Sequence, residues 1–104
     1  MADETRFDWD EANLGHIARH NVVPEEAQQV LANDPLELGS RYVDGEERFR
    51  SVGPTNGGRW LLVVSTEREE KIRVITAYDA DKRHVELYVR KRGNGRYEST
   101  DPTF

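Results

Sequence analysis

The chain contains no cysteine. Disulfides and cysteine-ligated metals are therefore excluded, and a reducing compartment agrees with that composition. Long apolar runs are also missing. The longest, Trp60 to Val64, is five residues, far below the roughly 20 that a membrane-spanning helix needs. The acidic, polar N-terminus has no apolar signal region, so secretion is not expected and the cytoplasm is the expected location. Positive charge is scarce as well. With 15 Lys and Arg against 20 Asp and Glu, the net charge is −5. Nucleic-acid binders usually carry a basic balance, so any RNA contact has to be local. The distribution leaves room for one: residues 1–40 hold nine acids and two bases, residues 41–81 eight acids and seven bases, and residues 82–104 three acids and six bases.

What is present suits one small folded unit. A length of 104 residues with 36% hydrophobic side chains supports one modest core. The expected division is a single domain over residues 1–92 and a polar, mobile tail over 93–104. Residues 6–9 read as a short strand. Asp10 is a plausible N-cap, because a short acidic side chain accepts the free N–H groups of a first turn. The helix after it is expected to reach about His20, with Leu14, Ile17 and Ala18 on its apolar face. Asn21 suits the left-handed conformation that ends helices. Pro24, followed by Glu25 and Glu26, opens a second helix that Asn33-Asp34-Pro35 stops.

Strand signals then take over. Residues 36–43, 47–53 and 60–66 read as strands. Asn56-Gly57 marks a hairpin, because both residues tolerate positive φ. Residues 71–78 alternate, with Ile72, Val74 and Thr76 on one face and Lys71, Arg73, Ile75 and Ala77 on the other. Residues 80–92 read as a third helix. Helices, then an antiparallel meander of about four strands, then a helix indicate an α+β fold.

Three blocks occur in order along this pattern. Phe7-Asp8-Trp9-Asp10-Glu11-Ala12 opens the chain; Arg19-His20-Asn21-Val22 is followed by Pro24-Glu25-Glu26-Ala27; and Arg73-Val74-Ile75-Thr76-Ala77 lies on the last strand. Together they resemble the BrnT family of toxin ribonucleases over about residues 7–90. The resemblance implies a RelE-like fold and the toxin role in a type II toxin–antitoxin system. It also implies RNA cleavage by 2′-OH attack with no metal or other cofactor. The implied partner is a DNA-binding, BrnA-like antitoxin of the ribbon-helix-helix type, in a dimer or a toxin–antitoxin hetero-oligomer. Two positions depart from the family pattern: Asn13 lies where the family has a nearby Lys, and Tyr78 stands where its third block ends in Arg.

Cleavage of this kind needs a base for the 2′-OH, an acid for the leaving oxygen and cations for the charged phosphorane. Arg73, Arg48 and Arg59 lie on strands or at their ends, where neighbouring strands can bring them onto one sheet face. An arginine there either holds phosphate oxygens through two donors or simply faces solvent. His20 is a proton carrier or a helix-end cap. Tyr78 is a proton donor and stacking platform or a sheet residue packed on the third helix. Thr76 is a further candidate on the same strand. Lys82, Arg83 and Arg90 give the C-terminal helix a basic side that holds RNA phosphate or stays solvated. His16 and His20 have the spacing of a zinc half-site, but no third ligand accompanies them, and no metal is expected. Against the ribonuclease stands a second hypothesis: the same fold as a protein-binding module without cleavage.

Overall fold

A computed structural model describes residues 6–93. Helices α1 (Glu11–Ala18) and α2 (Pro24–Ala32) precede strands β1 (Leu36–Val43), β2 (Glu46–Pro54), β3 (Trp60–Arg68) and β4 (Lys71–Asp79). Helix α3 (Lys82–Tyr88) comes next and runs into a π-helical turn, Val89–Gly93. The strands form one antiparallel sheet in the order β1-β2-β3-β4. The α+β reading therefore holds, and past Gly93 the tail assigned to 93–104 lies outside the described residues.

The helices begin where local chemistry says they should. The Asp10 carboxylate accepts from the Ala12 and Asn13 N–H groups, and the Asn13 side chain accepts from the Asp10 N–H, which closes a capping box. At α2 only half of that device exists. Glu26 accepts from the Val23 N–H at 3.1 Å, and Val23 has no side-chain acceptor to return. Helix α1 ends at Ala18 rather than near His20, and the chain then turns through Asn21 at φ 58°.

The core lies between these two helices and the sheet. Ile17, Val22, Ala27 and Val30 pack with Leu61, Val63, Val74 and Ala77, and Trp9 and Leu31 close its margin. Helix α3 stands on the opposite face. There Tyr88 meets Trp60 edge-on at 5.0 Å between ring centres, and Val52 and Leu62, paired across β2 and β3, are buried on the same side as Trp60.

Four further local expectations need correction. The strand expected over 6–9 is a single parallel bridge, Phe7 to Ile72. Beyond that bridge, the free edge of β4 is covered by side chains rather than by a ladder. The Asp8 N–H donates to the Ile72 carbonyl, Asn13 Nδ2 donates to the carbonyls of Asp8 and Val74, and His16 Nδ1 lies 3.2 Å from the Ile75 carbonyl. Helix α1 thus satisfies the backbone of an edge that would otherwise invite another strand.

The alternation along β4 is the second. Val64 pairs with Thr76 but Ser65 with Val74, so Ile75 is an extra residue, a β-bulge. The bulge resets the faces: Val74 and Ala77 both enter the core, while Arg73, Thr76 and Tyr78 share the other side. Third, Asn56 and Gly57 do not supply the positive φ of their loop. Gly58 does, at +92°, after a turn closed by its N–H to the Thr55 carbonyl. Fourth, the last helix starts at Lys82 rather than residue 80, because Asp81 caps it through the His84 N–H.

Candidate nucleic-acid interface

Register decides which side chains meet, since residues paired across antiparallel strands share a face. Arg41 pairs with Arg48, and Thr66 pairs with Arg73. The Phe49–Ser65 pair, advanced by one step, sets Arg48 opposite Thr66. One row across all four strands therefore reads Arg41, Arg48, Thr66, Arg73. The same rule puts Arg50 beside Val64 in the next row and Arg68 beside Lys71 in the row nearer the hairpin tips. Six cations thus share one face of the hairpin half of the sheet, and helix α3 stands on that same side.

Three carboxylates hold three of these cations in place. Glu46 binds Arg48 at 3.2 Å and Arg68 at 2.7 Å. Arg73 is approached by Asp10 at 3.0 Å and by Asp8 at 3.6 Å. The Arg68 guanidinium, then Arg48, holds the Glu46 carboxyl below its usual range. Arg73, then the Asn13 N–H, does the same for Asp10. Arg68 in turn is raised further by Glu46. The Glu46 and Asp10 carboxylates therefore stay ionised at neutral pH. The Arg73 side chain is only 11% exposed, whereas Arg41, Arg50 and Lys71 are exposed and make no ion pair among the described residues.

The other anticipated residues fall elsewhere. Arg59 joins neither Arg48 nor Arg73. It lies at the opposite end of the sheet, bound to Asp79 at 2.8 Å, Glu26 at 3.0 Å and the carbonyls of His20 and Asn21. The third strand instead contributes Arg68, which lies two residues beyond the strand expected over 60–66. Its signal was the alternation of β3, carried two residues further than expected. The rings of His20 and Tyr78 meet at 5.6 Å beside β4. At about 3.3 Å per residue, Tyr78 stands roughly 15 Å from Arg73, with Thr76 between them. Lys82, Arg83 and Arg90 are exposed on α3 and its π-helical extension. His16 and His20 find no third metal ligand: no group of three His, Asp or Glu gathers among the described residues.

The molecule is an α+β protein with a row of arginines on one face of its sheet. Its family is specific. The chain belongs to the ribonuclease toxins, BrnT, of type II toxin–antitoxin systems, whose family model matches residues 9–84. Comparison with curated proteins gives no match. Membership brings an antitoxin partner and an RNA target as properties of the family. No helix among the described residues is long and apolar enough to cross a membrane.

Proposed function

We propose that this chain is the toxin of a type II pair and cleaves RNA on the arginine-bearing face, without a metal, by attack of a 2′-OH on the adjacent phosphorus. The observation that carries this reading is the row Arg41, Arg48, Thr66, Arg73 with Arg50 and Arg68 beside it. In the reaction the 2′-OH gives its proton to water as its oxygen bonds to phosphorus, the bond to the 5′-oxygen breaks and that oxygen takes a proton from water, and negative charge concentrates on the non-bridging oxygens. Cations held in position before the reaction stabilise that charge without reorganising. Arg48 spends two of its five N–H donors on Glu46, which fixes the fork and leaves the rest free. Arg73 and Arg48 meet the phosphate, and Arg68 supports them. The row contains no histidine, so charge stabilisation supplies most of the acceleration there. His20, Tyr78 and Thr76 serve a flanking nucleotide, with the Tyr78 ring as a platform for its base. Arg59 acts only through folding. Lys82, Arg83 and Arg90 extend the phosphate track along α3.

The test combines inducible expression with cleavage of labelled RNA in the presence of a chelator. Growth arrest and fragments ending in a 2′,3′-cyclic phosphate and a 5′-hydroxyl are expected. A native chain that neither arrests growth nor cuts RNA overturns the reading. One observation favours the second hypothesis, a binding module without cleavage: Arg73 is largely covered and already engaged by two carboxylates. Under that reading the inert chain still captures its protein partner.

A further inference from the structure

The two faces of the hairpin half of the sheet carry opposite charge. Every Lys and Arg of the strands in that half lies on the face described above. The other face displays Glu37, Glu47 and Glu67 and receives no Lys or Arg from the strands. It is also partly apolar and open. Two shallow depressions meet at Phe49 and Glu67; Leu31 of α2 and Ile72 border one, and Tyr42, 71% exposed, borders the other. Its floor holds two hydroxyls, Ser51 at 7% and Ser65 at 8% exposure. Neither makes a side-chain hydrogen bond among the described residues, so both hold unspent capacity in a site that a ligand would dry out.

We propose that this groove docks a protein segment rich in Lys and Arg with apolar side chains between them, contributed by the partner of this toxin. The proposal takes from the family only that a protein partner exists. Charge complementarity selects the occupant. Three carboxylates with no ion pair among the described residues repel RNA and attract a basic segment, and Tyr42, Phe49 and Ile72 give its apolar side chains a surface to cover. The hydroxyls of Ser51 and Ser65 are placed to pair with its backbone or polar groups. Because this face lies behind the arginine row, partner binding and RNA binding use separate surfaces of one sheet.

The test titrates the full chain with a labelled amphipathic peptide of alternating Lys, Arg and Leu in buffer of physiological salt, and maps amide shifts by NMR. Saturable binding with shifts at residues 37–42, 47–51 and 65–67 is expected. Glu37→Gln with Glu67→Gln, and separately Tyr42→Ala, should weaken it tenfold or more. Glu25→Gln with Glu86→Gln, exposed acids on α2 and α3, should leave it unchanged. Equal weakening by both acid pairs would mean attraction to net charge alone and overturn the site, as would shifts confined to other surfaces or no saturable binding. Concentration-dependent self-association abolished by Glu37→Gln with Glu67→Gln would make a second copy's arginine face the occupant and overturn the choice of partner. RNA cleavage by the Glu37, Glu67 variant is measured in parallel, so a failed ribonuclease reading is not mistaken for a failed docking site.

Discussion

Arg59 and Arg73 are both paired arginines, yet their surroundings assign them different work. Arg59 fastens the α1–α2 connection to the far end of the sheet through two carboxylates and two backbone carbonyls. Its already high pKa is raised further, first by the bond to Asp79. Removing it leaves the partly covered Glu26 and the two backbone carbonyls without their donor, while Asp79, 71% exposed, returns to water. Arg59→Ala should cost about 1–2 kcal/mol, a fall in Tm of roughly 5–10 °C for a chain this size, with RNA cleavage unchanged below the transition. Arg73 faces the arginine row, so Arg73→Ala should slow cleavage about a hundredfold. Arg73→Lys should fall between the two, since a lysine keeps the charge and loses the fork. Single-turnover rates measured beside thermal melts separate these cases. If Arg59→Ala slowed cleavage as much as Arg73→Ala, the division of roles would be wrong.

At the scale of elements, the capped helices, the four strands and their meander order were readable, because each rests on residues within a few positions of one another. The Asp10 cap, the turn at Asn21 and the Pro24 start all arise from local hydrogen bonding. What was not readable depends on distant partners. The bulge at Ile75 exists only against β3, and the capture of the β4 edge by Asn13 needs α1 folded alongside it. The candidate site suffers most from this. Strand membership identified Arg48 and Arg73, but only the full length and register of β3 bring Arg68 to their face, and Arg59, one residue before β3, is held at the other end by Asp79 and Glu26. The turns make the same point. Asp44-Gly45 joins β1 to β2 with both φ values positive, the pattern of a type I′ turn. Glu69-Glu70 joins β3 to β4 in the same way, at φ 56° and 67°, although glutamate gains nothing in that region. Replacing Glu69-Glu70 by Asn-Gly should therefore relieve strain and stabilise the chain by about 1–2 kcal/mol. Urea unfolding measures it, and an unchanged or lower midpoint would count against the strain.

For the whole molecule, acid and salt probe different parts of the charge pattern. Asp10, Glu46 and Asp81 are all held below the ordinary carboxylate range, by Arg73, by Arg68 and by the His84 N–H respectively. A carboxyl whose pKa is lower folded than unfolded adds stability at neutral pH, which is lost as pH falls through and below about 4. The melting temperature should be flat from pH 7 to about 5 and drop below that window. Asp10→Asn, which keeps a good cap, should make the drop shallower. Salt, by contrast, addresses function. A chain of net charge −5 offers RNA no general attraction, so affinity has to come from a few phosphate contacts on the arginine face. Each contact contributes about −0.7 to the slope of log affinity against log salt for a single strand. Three or four contacts give a slope of roughly −2 to −3, a loss of about 15- to 60-fold between 50 and 200 mM salt. Arg41→Ala and Arg50→Ala, exposed members of the face, should each make the slope shallower by about 0.7 while leaving the fold intact. Lys82→Ala or Arg83→Ala does the same only if the RNA continues along α3. A slope near zero in the native chain, or one unaffected by Arg41 and Arg50, would place the RNA elsewhere and remove the basis for cleavage on this face.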